Sequence, residues 1–240
     1  MSTAADVSLG RTVSRERSMY LRAALVAALI VFAGFAPSYY LKGVFGAPEL
    51  TTIKHFHGVI MTAWFALFIT QAWLVSAGNV QLHRKLGAAG VLLGILVIAM
   101  GIQVAIASAR AGATPIPDIP PLVFMIMPLG EILIFAVLFT AAIALRKRPA
   151  WHKRLMVLAS VAILAPAFAR LPIVSTIGPP AFFGLTDLVI LACIVFDTVK
   201  NRRLHPAFAI GFVWVLVGQF GRLAVSQTPQ WMEFAKWLVS

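Results

Sequence analysis

The chain is predicted to be an all-α, polytopic transmembrane helix bundle of seven spans, N-terminus in and C-terminus out, and three observations predict it. First, 60% of its residues are hydrophobic and only 12% are charged, about half the ~25% charged fraction of ordinary soluble domains. Second, seven windows supply the ~20 apolar residues that a bilayer crossing needs: 21–41, 57–77, 86–108, 122–145, 155–175, 181–199 and 207–226. No strand-like alternation is visible, so backbone groups in lipid must be satisfied inside helices. Third, the cations are asymmetric. Arg11, Arg15, Arg17, Arg22, Arg84, Lys85, Arg146, Lys147, Arg148, Lys153, Arg154, Lys200, Arg202 and Arg203 fall on one side of a seven-span chain, against Lys42, Lys54, Arg110 and Lys236 on the other. The richer side is expected to be cytoplasmic.

This topology accounts for the net charge of +12 without a nucleic acid; the expected partner is the lipid bilayer, and nothing identifies a protein partner. The single cysteine, Cys193, excludes an internal disulfide framework or a CxxC redox pair. The sequence divides into a polar, basic cytoplasmic tail (1–19), disordered or lying on the lipid surface, a transmembrane helical domain (20–228) and an interfacial amphipathic tail (229–240). Pro37 follows the one small-residue cleavage candidate, so the first span is expected to be a retained anchor.

Taken in order, span one ends in Tyr39-Tyr40, which suits an interface belt. In span two, His57, Met61, Trp64, Phe68 and Gln71 share one helical face that should meet other helices. In span three, His83 heads a face of Gly87, Gly90, Gly94 and Gly101. That face serves either close small-residue packing or a slot for a flat cofactor. A stiff, proline-rich loop at 109–121 carries Asp118. Span four contains Pro128 and Glu131, and span five contains Pro166, Arg170 and Pro172. Each proline removes an N–H and frees a carbonyl one turn earlier, so both spans should kink. Asp187 and Asp197 lie in span six, and Gln219 and Arg222 in span seven. The starts LHRKLGAAG, WHKRLMVLA and LHPAFAIGF of spans three, five and seven each carry a histidine, which reads as either a weak internal repeat or the basic bias alone.

Two constellations carry the possible chemistry. At the cytoplasmic side, His83, His152 and His205 stand at helix starts. Imidazoles on facing helices are one way a bundle holds haem iron, whereas histidines at a membrane edge also bind lipid phosphate or cap helices. Toward the outside, His57, Glu131, Arg170, Asp187 and Arg222 come from five different spans at similar depth. Unpaired charge at bilayer depth costs several kcal/mol, so these groups are expected either to lock the bundle as ion pairs or to line an outward-open polar cavity. No nucleophile elbow, Walker loop, HExxH motif or dinucleotide fingerprint occurs, so no catalytic residue is assigned and no metal site is expected.

At HFHGVIMTAWFALF, LHRKLGAAGVLLG and WHKRLMVLASVAILAPAFARLP the sequence resembles a family of bacterial multi-span membrane proteins with no established activity. The resemblance extends over most of the chain from span two, including FFGLTDLVILACIVFDTV and RRLHPAF. It implies a multi-pass protein of the bacterial inner membrane. More remotely, HG-xx-MT-x-W and the helix-start histidines resemble the haem-binding core of membrane b-type cytochromes and ferric reductases. This resemblance implies His57, His83 and His152 as cofactor positions. It departs at the outer side, where only neighbouring His55 could pair with His57, so it implies at most one haem b, near the cytoplasmic side. The functional expectation is a membrane redox protein holding haem b or quinone. The alternatives are a transporter or ligand-binding protein using Glu131, Arg170, Asp187 and Arg222, and a non-catalytic assembly factor.

Overall fold

The computed structural model describes residues 4–114 and 119–240, the side chains of 4–17 excepted; Asp118 lies outside the described residues. The elements are α1 (Ala4–Phe35), a π-helical turn (Ala36–Tyr40), α2 (Lys42–Phe45), α3 (Thr52–Ser76), α4 (Val80–Arg110), α5 (Pro121–Phe124) and α6 (Ile126–Ala144). They continue with α7 (Pro149–Ala162), α8 (Ala165–Phe168), α9 (Pro172–Ile177), α10 (Pro179–Asn201), α11 (Pro206–Val225) and α12 (Pro229–Val239). No strand occurs among the described residues. Six stretches are long and apolar enough to cross a membrane: Ser18–Tyr40, Thr52–Ser76, Val80–Arg110, Pro121–Ala144, Pro179–Asn201 and Pro206–Val225. That is the signature of a multi-pass membrane protein. Apolar side chains such as Val59, Leu92, Leu133, Val195 and Phe220 are exposed around the outside of the long helices, as lipid contact requires.

Local chemistry sets the boundaries. Proline begins α5, α7, α9, α10, α11 and α12, a position where its missing N–H has no helical partner in any case. Gly78 turns the chain at φ +81, and the Asn79 side chain then caps α4 by accepting from the Leu82 amide at 3.1 Å. The His205 and Thr228 side chains cap α11 and α12 in the same way.

Two elements differ from the sequence-based expectation. The polar lead is helical and not disordered, α1 being continuous from Ala4. The window 155–175 is not one kinked helix but three pieces, α7, α8 and α9. Pro166 removes the N–H that would bond the Ala162 carbonyl, and Pro172 repeats the effect, so α7 stops at Ala162 and α8 lasts four residues. Pro128, by contrast, sits in the first turns of α6, and the break there falls at Met125 between α5 and α6.

One end of the bundle, the basic end, collects the α3–α4, α6–α7 and α10–α11 turns. The His83 and His152 rings meet there, as do the Trp151 and His205 rings. Arg154 of α7 forms a bidentate pair with Asp197 of α10, Nε to Oδ2 at 2.9 Å and Nη2 to Oδ1 at 2.8 Å. The Tyr20 hydroxyl of α1 donates to the same carboxylate at 3.0 Å. At the opposite end α12 is fastened by the Trp231 indole donating to the Leu122 carbonyl, and by Arg110 donating to the carbonyls of Leu238 and Val239. The segment α7–α8–α9 therefore runs from the basic end, where Arg154 is fixed, to the opposite end. There Arg170 lies over the Phe35 ring at 4.1 Å. Between the ends the core is filled by Phe135, Leu158, Ile190, Phe208 and Val215, all essentially inaccessible.

Candidate functional site

At the end opposite the basic one, α1, α3, α4, α6, α8 and α10 enclose a cavity of about 480 Å³. This lies within the range of small-molecule sites. Its wall is mostly apolar and aromatic, including Phe35, Met61, Phe65, Ile132, Phe182 and Phe183, with Lys54, His57, Glu131 and Arg170 as its charged groups and imidazole, and Tyr39 and Tyr40 as its phenols. The sequence pattern explains its polar set. His57 stands four residues ahead of Met61 on one face of α3, and Glu131 is one turn before the core residue Phe135 on α6. Arg170 comes from the interrupted backbone between α8 and α9.

Glu131 is 5% exposed, and its Oε1 has no hydrogen-bond partner. Its Oε2 lies 3.7 Å from Arg222 Nη1, beyond hydrogen-bonding distance but within ion-pair range. Arg222 is held elsewhere: Nη1 donates to the Met127 carbonyl at 2.6 Å and Nε to the Gly218 carbonyl at 3.0 Å. It also covers the Phe183 ring at 4.7 Å. A Cβ at Gly130 would collide with the Arg222 side chain, so the glycine provides the channel through which Arg222 reaches α6.

Arg170 is exposed on the wall. It donates from Nη1 to the Pro166 carbonyl at 2.7 Å, one of the main-chain acceptors in the broken segment. The ion pairs among the described residues are Lys42–Glu49, Arg154–Asp197 and Arg222–Glu131, so neither Arg170 nor Lys54 is in ion-pair contact with a carboxylate, and Glu131 acts on Arg170 only at longer range. His57 Nδ1 is also buried without a partner. Outside the spans, the Lys42 ammonium, 2.6 Å from the exposed Glu49, holds that carboxyl below its ordinary range by hydrogen bonding and charge.

The expected five-member outer constellation thus assembles in part. His57, Glu131 and Arg170 share the cavity, with Arg222 directly behind Glu131. Asp187 does not join an arginine; its Oδ1 accepts from Gln219 Nε2 at 3.0 Å, a neighbour on α11. An interhelical amide thus satisfies this acid where an ion pair was expected.

At the basic end the predicted approach of His83 and His152 occurs, with ring centroids 6.4 Å apart and planes at 75°. His152 Nδ1 lies 2.8 Å from the Ala142 carbonyl. A carbonyl only accepts, so this nitrogen carries the proton and Nε2 keeps the free lone pair when the ring is neutral. Such a backbone anchor is the usual second contact of a metal-binding histidine. Two imidazoles on opposite sides of one metal atom, at ~2.0–2.1 Å per nitrogen, would place their centroids about 6 Å apart. The spacing of the two rings matches that distance. Part of the glycine face is already filled. Phe139 covers Gly94 and Ile132 covers Gly101, while nothing lies within 4 Å of a Cβ built on Gly87. Close packing accounts for the two deeper glycines, and room remains only nearest His83. No cluster of three or more His, Cys, Asp or Glu side chains suited to a metal occurs among the described residues.

His57 cannot serve the histidine pair. It lies 19 residues before the end of α3 at Ser76, roughly 28 Å along the helix. Along α6, Glu131 and Ala142 are similarly separated by about 16 Å. The space between the two places is filled by Trp64, Phe135 and Phe139, with ring centroids 5.1–5.6 Å apart. His205 takes no part in a site; it caps α11 through Nδ1, 3.1 Å from the Ala207 amide. Burial and the nearby Arg154 push its pKa below 6.5, keeping Nδ1 free to accept.

Sequence reasoning missed the Arg154–Asp197–Tyr20 cluster and the wall position of Lys54. Asp197 was the available signal, as an acid near the basic end of an apolar helix with cations on every adjoining turn. No protein-family profile matches the chain, and neither a curated protein nor a solved structure does.

Proposed function

We propose that the chain is a multi-pass protein of the bacterial inner membrane that binds a small amphipathic molecule in a chamber opening toward the outer face. The observation that carries this reading is the 480 Å³ cavity, whose apolar wall holds a buried carboxylate with an unsatisfied oxygen and a guanidinium in no ion-pair contact with an acid. Seven crossings follow when α7–α8–α9 counts as one discontinuous span, with the basic end cytoplasmic, the N-terminus in and the C-terminus out. Discontinuous spans commonly build ligand sites in transporters. Irregular backbone at membrane depth is also tolerated where it is buried in protein or lines a cavity, and Ala165, Pro166 and Arg170 line this one.

Native mass spectrometry of the protein purified in gentle detergent tests the reading. A bound molecule of small-lipid or metabolite size is expected on the wild type and absent from Ser108→Trp, which places an indole in the cavity. Equal occupancy of both proteins would place the ligand elsewhere. A bare wild-type protein that no amphipathic compound stabilises would remove the proposal.

A redox role is the second reading, favoured by the 6.4 Å spacing of His83 and His152 and the backbone anchor on His152. Haem b, if bound there, would be held by His83 and His152 and would supply one-electron chemistry. A visible spectrum of protein made with ample haem, with and without dithionite, decides it. A Soret band lost in His83→Ala and His152→Ala supports this reading, and no band removes it.

A further inference from the structure

The chamber's charges specify more than a generic ligand. Glu131 is matched by Arg222 at 3.7 Å, and His57 adds no fixed charge when neutral. What remains on the wall is positive: Arg170, whose own contacts are the Pro166 carbonyl and the face of Phe35, and Lys54, which has no ion-pair partner among the described residues. Among the described residues, the other lining segments add no charged group. A carbonyl oxygen and an aromatic face hold the guanidinium in place, and the one carboxylate acting on it, Glu131, is shared with Arg222, so the wall keeps a net positive charge; Arg is the side chain best shaped for carboxylate or phosphate oxygens.

Resting on the reading of the chamber as a ligand site, we propose that its occupant is an amphipathic anion. The acidic head, a carboxylate or phosphate, is held by Arg170 with help from Lys54, and one apolar body lies against Phe65, Ile132 and Phe182. A free inorganic anion would leave that apolar wall unused, and a cationic amphipath would meet two unpaired positive charges. Glu131 Oε1 and His57 Nδ1, both buried without a hydrogen-bond partner, are two polar atoms of the wall that a ligand could satisfy. Either suits a hydroxyl on the ligand.

The test uses the full chain in phosphatidylcholine nanodiscs, with empty nanodiscs subtracted, and three probes of one chain length: dodecanoate, dodecanol and dodecylamine. Dodecanoate is expected to bind about tenfold or more tightly than the alcohol, the scale of one charge-assisted hydrogen bond, and the amine is expected to bind weakest. Arg170→Gln should lose most of that preference by weakening dodecanoate alone, Arg170→Lys should keep part of it, and Lys54→Gln should give a smaller loss. If Arg170→Gln fails to fold, the order of the three probes on the wild type still decides the matter. Dodecanol or dodecylamine binding as tightly as dodecanoate, or an unchanged dodecanoate affinity in folded Arg170→Gln, overturns the anion assignment while leaving the chamber reading intact. Failure of all three probes to bind overturns both. Adding phosphatidylglycerol to the nanodiscs separates two sources of the same chemistry. Competition with dodecanoate supports an anionic bilayer lipid as occupant, and lack of competition supports a free amphipathic acid.

Discussion

Replacing Asp197 by alanine strands a buried arginine. Arg154 and Asp197 are joined by two short hydrogen bonds, and their side chains are 4% and 0% exposed. After the substitution, Arg154 keeps only the Ala150 carbonyl, at 2.7 Å, and the distant face of Phe208, and the Tyr20 hydroxyl loses its acceptor. An uncompensated buried charge costs ~3–5 kcal/mol. Asp197→Ala should therefore destabilise by at least ~3 kcal/mol, about a hundredfold in the folded ratio. The double variant Arg154→Met with Asp197→Leu removes both charges and fills their volume. It should lie near the wild type or above it, because a buried pair gains little net stability after desolvation. Unfolding by sodium dodecyl sulfate in mixed micelles, followed by tryptophan fluorescence on the wild type, the two single variants and the double variant, gives the coupling energy. Additivity within ~0.5 kcal/mol, or an Asp197→Ala protein as stable as the wild type, would refute the assignment of this pair as the clamp on α1, α7 and α10.

Three further outcomes are expected. Gly34→Ala should destabilise by ~1–3 kcal/mol as an overpacked contact, because its Cβ would meet the Ala167 carbonyl and lie 2.8 Å from the Ala167 Cα, backbone that cannot rotate aside; Gly43→Ala, with open space around it, serves as the neutral control in the same thermal melts. Gly94→Ala should likewise lower the melting temperature by displacing Phe139, while Gly87→Ala should leave it unchanged; a reversed order would mean that the glycine face is not packed as described. The His205 pKa is depressed in the folded protein, so its contribution is fully present above the unfolded value of about 6.5 and is lost as pH falls through the folded value. A cap is worth ~0.5–2 kcal/mol, so the wild type should lose stability relative to His205→Asn between pH 7 and pH 5, and parallel melting curves would contradict the cap.

Much of this architecture is legible from hydropathy and punctuation. Six of the seven expected windows appear as long apolar helices. The α12 tail falls at Pro229–Val239, and the spacing of His83 and His152 from their helix starts is enough to predict that they meet. The fifth window shows the limit. Its mean apolarity is that of a span, but hydropathy averages over residues and does not register that Pro166 and Pro172, six residues apart, leave too few consecutive N–H donors for a continuous helix. Partner choice was also hidden. Asp187 had two arginines and a glutamine within plausible reach by depth, and only the azimuth of Gln219 on α11 decides the contact. Depth along a helix follows from counting residues. Rotation about it depends on packing details such as the passage of Arg222 across Gly130, which no single-sequence pattern records.

The break in the fifth segment and the chamber have one physical cause. Past α8 the Arg170 amide bonds the Ala167 carbonyl at 3.3 Å, so the Pro166 carbonyl is left as a main-chain acceptor in the broken segment. Arg170 satisfies the Pro166 carbonyl itself, which turns its guanidinium to the cavity wall and over Phe35. Phe35 is in place because the adjacent Gly34 lets α1 meet α8 backbone to backbone. A bulkier residue at position 34 or a regular helix through position 166 would each remove the space and the charge together. On the other side, Trp64, Phe135 and Phe139 pack together between the cavity and the basic end, so the histidines of the basic end lie in a separate environment. An amphipathic ligand at Arg170 and a cofactor at His83 and His152 are therefore compatible in one molecule. Electron exchange between them would have to pass through that aromatic layer, about 16 Å along α6.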